Sequence, residues 1–473
     1  MSDQPRDRNQ GARARGGPRG DGQRGPTMSR RAALSAVMLL AACCGGAAAR
    51  RPAPRPQAKP FTGLVPFYKE DASQSPELRN PLVSLEFLYL LPRDVCPRVA
   101  SGQSASSSVQ CEYDWSALEA KLDTVASRGH QAVIRLADLV NTAGPWELAL
   151  PAWVKAENGG LVQSTTRQYN GQTVTYARWD AAEAALGGAN AEEQFWTGFL
   201  AAVGAQLNAD HRVAYVQGIA GHWSEGHVWR DGLSDAHGDV GVIFPCAEQY
   251  QAVIAAMQAA LPDLRWQLGI SSGDAFYWYS RAQATDAGRM AQTAADNHFG
   301  TFEDSFLSSV KEDTDWNSWL LSVLGEERWT KHPRGGEVAF NGNSQADAAK
   351  NPARFIAAVR ARHQTFAFAT PAIITKQIAS VAPVMGYQFK LATAFSARAR
   401  QLTVTVTNLG VAPIYYDTFV SIDGVLQQGA GQNLRDLLPG KKLVLVLATG
   451  ARRTKPPVDL RCDRAPLGTV PHV

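Results

Sequence analysis

Two strand-like runs, Val83 to Leu90 (VSLEFLYL) and Gln131 to Leu139 (QAVIRLADL), flank a segment whose apolar residues Leu118, Leu122 and Val125 fall three and four apart. That spacing is helical. The helix opens at Asp114-Trp115-Ser116 and closes at Arg128-Gly129, with the glycine where a C-cap wants one. Strands joined through a helix run parallel, because a hairpin connection is too short to bring the chain back to the same end. A parallel sheet with helices on its faces is therefore expected from the start of the folded chain.

The alternation continues. Helices are expected at about 191–207, 246–260 and 351–362, and strands at 213–219, 264–270, 298–306, 332–340 and 364–369. Seven strands are legible, and an eighth, needed for closure, is expected within 141–190. The same region carries a hairpin, Gln163 to Arg178, turned at Asn170-Gly171. The fold class is α/β: a TIM-type (β/α)8 barrel over 61–375, followed by a small antiparallel β-sandwich over 376–473. Past about residue 380 runs such as Leu402 to Thr407, Tyr415 to Ile422 and Leu443 to Leu447 alternate between Gly and Pro turns. All twelve Trp lie between 115 and 329, so aromatic faces able to stack on sugar rings belong to the barrel.

Residues 1–60 read as a leader and tether. Residues 1–27 are almost devoid of apolar side chains and cannot build a core. From Met28, Arg30 and Arg31 precede an apolar stretch, Ala32 to Ala42, too short to span a bilayer. Leu40-Ala41-Ala42-Cys43 resembles a bacterial lipobox, which would place a lipid on Cys43 and hold the protein on the cell envelope through that lipid. The small residues also suit ordinary signal peptidase, so plain secretion stays open. Ala47 to Pro60 is a Pro- and Ala-rich tether. The net charge of +4 is misleading: residues 1–55 hold eleven Arg and three Asp, +8, which leaves +4 − 8 = −4 for the rest. The folded part offers no basis for a nucleic-acid partner. In an exported chain Cys96 and Cys111, which bracket a Ser-rich loop, are expected to pair. Cys246 and Cys462 have no assigned partner.

Chemistry concentrates in Val213 to Trp229 (VAYVQGIAGHWSEGHVW), where a strand runs into His222, Trp223, Glu225, His227 and Trp229. A carboxylate beside tryptophans at the carboxyl end of a barrel strand is the raw material of an active site. An ion pair of Glu225 with a neighbouring Arg is the structural alternative. His332 to Phe340 supplies Glu337 after two glycines. Arg135, Asp138, Asp274 and Asp304 also end strand-like runs.

The ordered series VSLEFLYLLP, YDWSALE, QAVIRL, ALPAWV, GHWSEGH, GTFEDSFL and PRGGE, with GYQFKLATA and VTNLGVAPIYYD beyond it, resembles the bacterial domain-of-unknown-function family 4832. The resemblance spans about 80–470. It implies a glycoside-hydrolase-like TIM barrel plus a C-terminal β-sandwich, and no proven activity. Where the family leads one to expect Gly-Glu-Trp-His, this chain has Ser224-Glu225-Gly226-His227. In the barrel glycosidases that share this layout, the acid/base follows the fourth strand and the nucleophile the seventh. Glu225 and Glu337 take comparable places.

Three readings follow. In the first, Glu225 and Glu337 are the two carboxylates of a glycosidase acting on a glycan or oligosaccharide. Arg135 keeps the nucleophile ionised, and Asp138, Asp274 and Asp304, with His222, Trp223, His227 and Trp229, bind sugar. In the second, Gly269-Ile270-Ser271-Ser272-Gly273 is a nucleophile elbow, with Ser271, Asp304 and His332 as an esterase triad. In the third, a non-catalytic surface protein grips glycans with its tryptophans. No cofactor is implied, and His222, Glu225 and His227 lack the spacing of a zinc helix, so no metal is expected.

Overall fold

The computed structural model describes residues 58–99, 111–141, 146–155, 162, 164–169, 172–177, 191–218, 247–272, 297–308, 311–339, 342–449, 454–466 and 469–472. Eight strands form one sheet: β1 (Gly63–Val65), β2 (Leu85–Leu90), β3 (Gln131–Leu136), β4 (Val213–Gln217), β5 (Trp266–Gly269), β6 (Gly300–Phe306), β7 (Arg334–Val338) and β8 (Phe366–Phe368). Their order in space is β1-β8-β7-β6-β5-β4-β3-β2, and each of these pairings is parallel. The two end strands then meet. The Tyr68 amide donates to the Phe87 carbonyl at 2.7 Å and the Phe87 amide to the Pro66 carbonyl at 2.9 Å, a parallel bridge that rounds the sheet into a barrel.

The long helix between β2 and β3, α1 (Ser116–Ser127), shows why the spacing was legible. Asp114 accepts the Ser116 amide at 2.9 Å ahead of the first turn. Leu118, Leu122 and Val125 bury one stripe, and Gly129 takes a φ of +77° just past the end. The helices that follow are α2 (Ala191–Leu207), α3 (Ala247–Ala260), α4 (Lys311–Leu324), α5 (Gly342–Lys350), α6 (Pro352–Ala361) and α7 (Pro371–Val381). With helices outside and side chains inside, β3 is buried at all six positions.

The eighth strand is not where the sequence suggested. It is β1, ahead of the first strand read there. Residues 139–177 instead carry a separate four-stranded sheet: Leu139–Asn141, Trp146–Leu148, Ser164–Tyr169 and Gln172–Ala177. The last two form the expected hairpin, and its turn residues lie outside the described set. A three-residue strand, Gly-Leu-Val, is too short to display any period, which is why it escaped notice. The ordinal places survive the change: β4 still opens the Val213 stretch and β7 still carries Glu337.

Beyond the barrel come β9 (Phe389–Ser396), β10 (Gln401–Asn408), β11 (Phe419–Ile422), β12 (Val425–Leu426), β13 (Lys442–Ala448) and β14 (Val458–Arg461). They form two antiparallel sheets, β9-β10-β13 and β12-β11-β14. On β10, Leu402, Val404 and Val406 are buried while Thr403, Thr405 and Thr407 are half-buried. This region seals the amino ends of the barrel strands. The Tyr416 hydroxyl donates to the Ala214 carbonyl and accepts from the Arg265 amide at 3.1 Å. Its ring lies 4.7 Å from that of Phe61 and 6.3 Å from that of Tyr215. The carboxyl ends of the strands lie on the opposite side.

Candidate active site

Strand register builds the site. Tyr89 of β2 is paired with Arg135 of β3, Arg135 with Gln217 of β4, and Gln217 with Gln267 of β5. Residues in register share a face, so these four side chains form one row. Arg135 is 1% exposed. Its Nε and Nη2 both donate to Gln217 Oε1 at 3.2 Å, and its Nη1 lies 3.0 Å from Glu337 Oε2. The guanidinium also faces the rings of Phe302, Phe87 and Phe368, at 4.5, 5.1 and 5.3 Å. A buried cation is tolerated when a counter-charge and aromatic faces replace water.

The glycines ahead of Glu337 now have a reason. A Cβ on Gly335 would come within 2.5 Å of Phe366 Cζ and 3.1 Å of Gln267 Nε2. Gly335 and Glu337 point to the same side of β7, so the bare position leaves room for the ring and the amide below the carboxylate. Burial pushes Glu337 above the ordinary carboxylate range; Arg135 pulls it back and the charge of Asp304 pushes it up again. Protonating Glu337 would strip Arg135 of this counter-charge, so its titration is a property of the pair. The expected pull from Arg135 is present, and burial opposes it.

Asp304 lies near the carboxyl end of β6, where the pairing of β6 with β7 shifts register between Glu303 and Phe306. Such irregularities re-aim side chains at strand ends. Glu303, one residue earlier, is buried, accepts from Asn317 Nδ2 at 3.1 Å, and is pushed upward first by burial. Asp138 follows β3 and is buried beside Glu192 in the first turn of α2. Burial pushes Glu192 well above its ordinary range and the Asp138 charge adds to that; the Trp196 indole, which donates to Glu192 Oε1 at 2.7 Å, pulls it back.

Three residues of the row, Tyr89, Gln217 and Gln267, were not singled out from the sequence. Tyr89 is 39% exposed and packs edge-on against Phe87 at 4.9 Å, the aromatic of the row that faces solvent. A glutamine inside the otherwise apolar runs VAYVQ and WQLG was the available signal. Of the tryptophans, Trp196 and Trp266 are wholly buried core, and Trp329 stacks on His363 at 3.5 Å.

The esterase triad does not assemble. Ser271 and Ser272 are 1% and 0% exposed just past the carboxyl end of β5, whereas His332 precedes the amino end of β7. Parallel strands put those two ends on opposite sides, separated by about 16 Å for a five-residue strand. Cys96 and Cys111 are joined in a disulfide, with Cα atoms 5.5 Å apart, and Cys462 is buried and free. His222, Trp223, Glu225, His227, Trp229, Asp274, Cys43 and Cys246 lie outside the described residues. Among the described residues no helix is long and apolar enough to cross a membrane.

No family model and no curated protein sequence matches the chain. Solved structures similar to it include the following three. One is a GH10 protein from Paenibacillus barcinonensis, 12% identical over 66% of this chain and 83% of that one, with a TM-score of 0.33. Another is a psychrophilic glycoside hydrolase family 10 endo-β-1,4-xylanase, 10% identical over 66% and 86%, with a TM-score of 0.34. The third is a bacterial Ig-like-domain-containing GH10 xylanase from termite gut, 9% identical over 65% and 68%, with a TM-score of 0.36. At such values the likeness assigns no residue here; the barrel stands on its own strand order.

Proposed function

We propose that this chain is an exported glycoside-hydrolase-like protein, held on the bacterial envelope by a lipid on Cys43 and acting on a glycan through Glu337 and Glu225. The family resemblance over about 80–470 is part of the same proposal. The observation that carries it is Glu337: a carboxylate on the seventh strand, inside the barrel near its carboxyl end, 3.0 Å from a buried arginine. A carboxylate so placed is suited to attack an anomeric carbon or to activate water, and the guanidinium opposes its protonation. Glu225, in the segment after β4, is then the group that protonates the departing glycosidic oxygen. Tyr89 offers an aromatic face at the same mouth.

The test is a screen of the mature protein against polysaccharides and chromogenic glycosides, with Glu225→Gln and Glu337→Gln alongside. An amide keeps the shape and cannot ionise, so each variant is expected to fold and to lose about a hundredfold or more of turnover. Hydrolysis that survives in both variants refutes the assignment, and binding without turnover makes the protein a glycan-binding barrel. Cys43→Ser is expected to move the protein from the membrane fraction to the soluble one; unchanged fractionation refutes the anchor.

A further inference from the structure

The polar row inside the barrel has a direction. Gln267 Nε2 donates to the backbone carbonyls of Thr301 at 3.1 Å and Pro333 at 3.0 Å. Carbonyls only accept, so the amide of Gln267 has one orientation, with its oxygen turned toward β4. That oxygen accepts from Gln217 Nε2 at 2.8 Å. Gln217 is thereby fixed in turn, and its oxygen must face Arg135, where it accepts two N–H groups of the guanidinium. Gly300 lies in register with Gln267, and a Cβ there would sit 2.1 Å from the Pro333 carbonyl oxygen. The bare backbone keeps open the space in which that carbonyl meets the amide. All three side chains are buried to 1% exposure or less.

We propose that Gln217, oriented by Gln267, is a positioning residue that seats Arg135 so that Nη1 is delivered to Glu337. The neutral acceptor is the point. A carboxylate at position 217 would take the guanidinium for itself, whereas an amide oxygen holds two of its N–H groups and leaves its positive charge to Glu337. The inference rests on the catalytic reading of Glu337 for its consequence in turnover, but the geometry it concerns does not. The charged groups that bear on Glu337 among the described residues are Arg135 of β3 and Asp304 of β6.

The experiment uses the full chain with selectively 13C-labelled glutamate and follows the Glu337 carboxyl signal, assigned by its loss in Glu337→Gln, across pH. The variants are Gln217→Glu, which replaces a single group at constant shape, and Gln217→Met, which removes the acceptor. Each is expected to raise the Glu337 midpoint by about one pH unit, a tenfold change in its dissociation constant. In Gln217→Met, which adds no charge, a residue that only fills space would change the melting temperature and leave that midpoint where it was, so this variant decides between the two. A midpoint unmoved in a folded variant overturns the proposal, and so does failure of both variants to fold, which would make Gln217 structural. Glycoside turnover is read in parallel. A shifted midpoint with no turnover in the native chain keeps the positioning role and removes the glycosidase reading. Turnover that depends on Glu337 and ignores Gln217 does the reverse.

Discussion

Removing one partner of the Arg135–Glu337 pair is not equivalent to removing the other. In Arg135→Met the Glu337 carboxylate stays buried, 9% exposed, with Asp304 still near it and its 3.0 Å counter-charge gone. Stranding one member of a buried pair costs about 3–5 kcal/mol. In Glu337→Gln the guanidinium keeps Gln217 Oε1 and the rings of Phe302, Phe87 and Phe368, and the new amide oxygen still accepts from Nη1. A desolvated cation–π contact contributes up to about 2 kcal/mol, so this variant is expected to lose only about 1–2 kcal/mol. The difference depends on pH. Burial already holds the folded Glu337 above its ordinary value of 4.5, so the folded state binds that proton more tightly and the group's contribution falls as pH rises past 4.5. Without Arg135 the folded value climbs further and the deficit grows by about 1.4 kcal/mol per pH unit. Urea unfolding followed by tryptophan fluorescence at pH 5 and pH 8 measures it. Arg135→Met should lose about 1 kcal/mol at the lower pH and about 4 at the higher, roughly two pH units of slope. Equal losses in the two variants, or an Arg135→Met deficit that is flat between those pH values, would refute the account of the pair.

Other parts of the molecule give equally direct expectations. Tyr416→Ala empties the seal between Phe61 and Tyr215 and removes the bond to Ala214, so it should destabilise by about 3–5 kcal/mol in denaturant while Tyr416→Phe loses about 1. Gly335→Ala drives a methyl to 2.5 Å from Phe366, and a loss of about 1–3 kcal/mol by thermal melting is expected. Burial, then the charge of Arg328, pulls His332 down to about 3, so the folded chain keeps it neutral, and its contribution, full above 6.5, is lost as pH falls toward 3. His332→Gln should therefore flatten the acid limb of the stability profile by up to about 1.4 kcal/mol per pH unit, and an unchanged limb would contradict the burial of that ring.

What could be read in advance follows from which residues carry a period. Leu118, Leu122 and Val125 announce α1, and the unbroken apolar run around Ile134 announces a strand covered on both faces. Gly63–Val65 carries none, and its role becomes clear only when Phe67 bridges to Phe87 across the closing seam. Of the site, Glu337 and Arg135 were legible because charge at the end of an apolar strand is conspicuous. Gln217 and Gln267 were not, since a neutral amide inside VAYVQ or WQLG is chemically quiet until register sets the two side by side. Number and position along the chain do not say which face of a helix or strand a ring takes: Trp196 faces the core, and the Trp223 and Trp229 named for sugar contact lie outside the described residues.

Register also explains why chemistry is expected at only one end of this barrel. At the amino ends, Phe61, Tyr215, Phe366 and the Tyr416 plug form an aromatic floor, with Tyr215 stacked on Phe366 at 4.9 Å and its hydroxyl donating to the Phe61 carbonyl at 3.0 Å. Every polar atom named there has a partner within the protein. Two residues further along β4 the lining turns polar, from Tyr215 to Gln217, and the same step on β7 goes from Gly335 to Glu337. A two-residue step is one repeat of the pleat, about 6.6 Å, so the change from sealed floor to charged site takes place within a single layer of side chains. At its β2 end the same row finishes in Tyr89, which is exposed. The Glu337 carboxylate is held from across the barrel, because Arg135, its partner, stands on β3, four strands away from β7 around the ring.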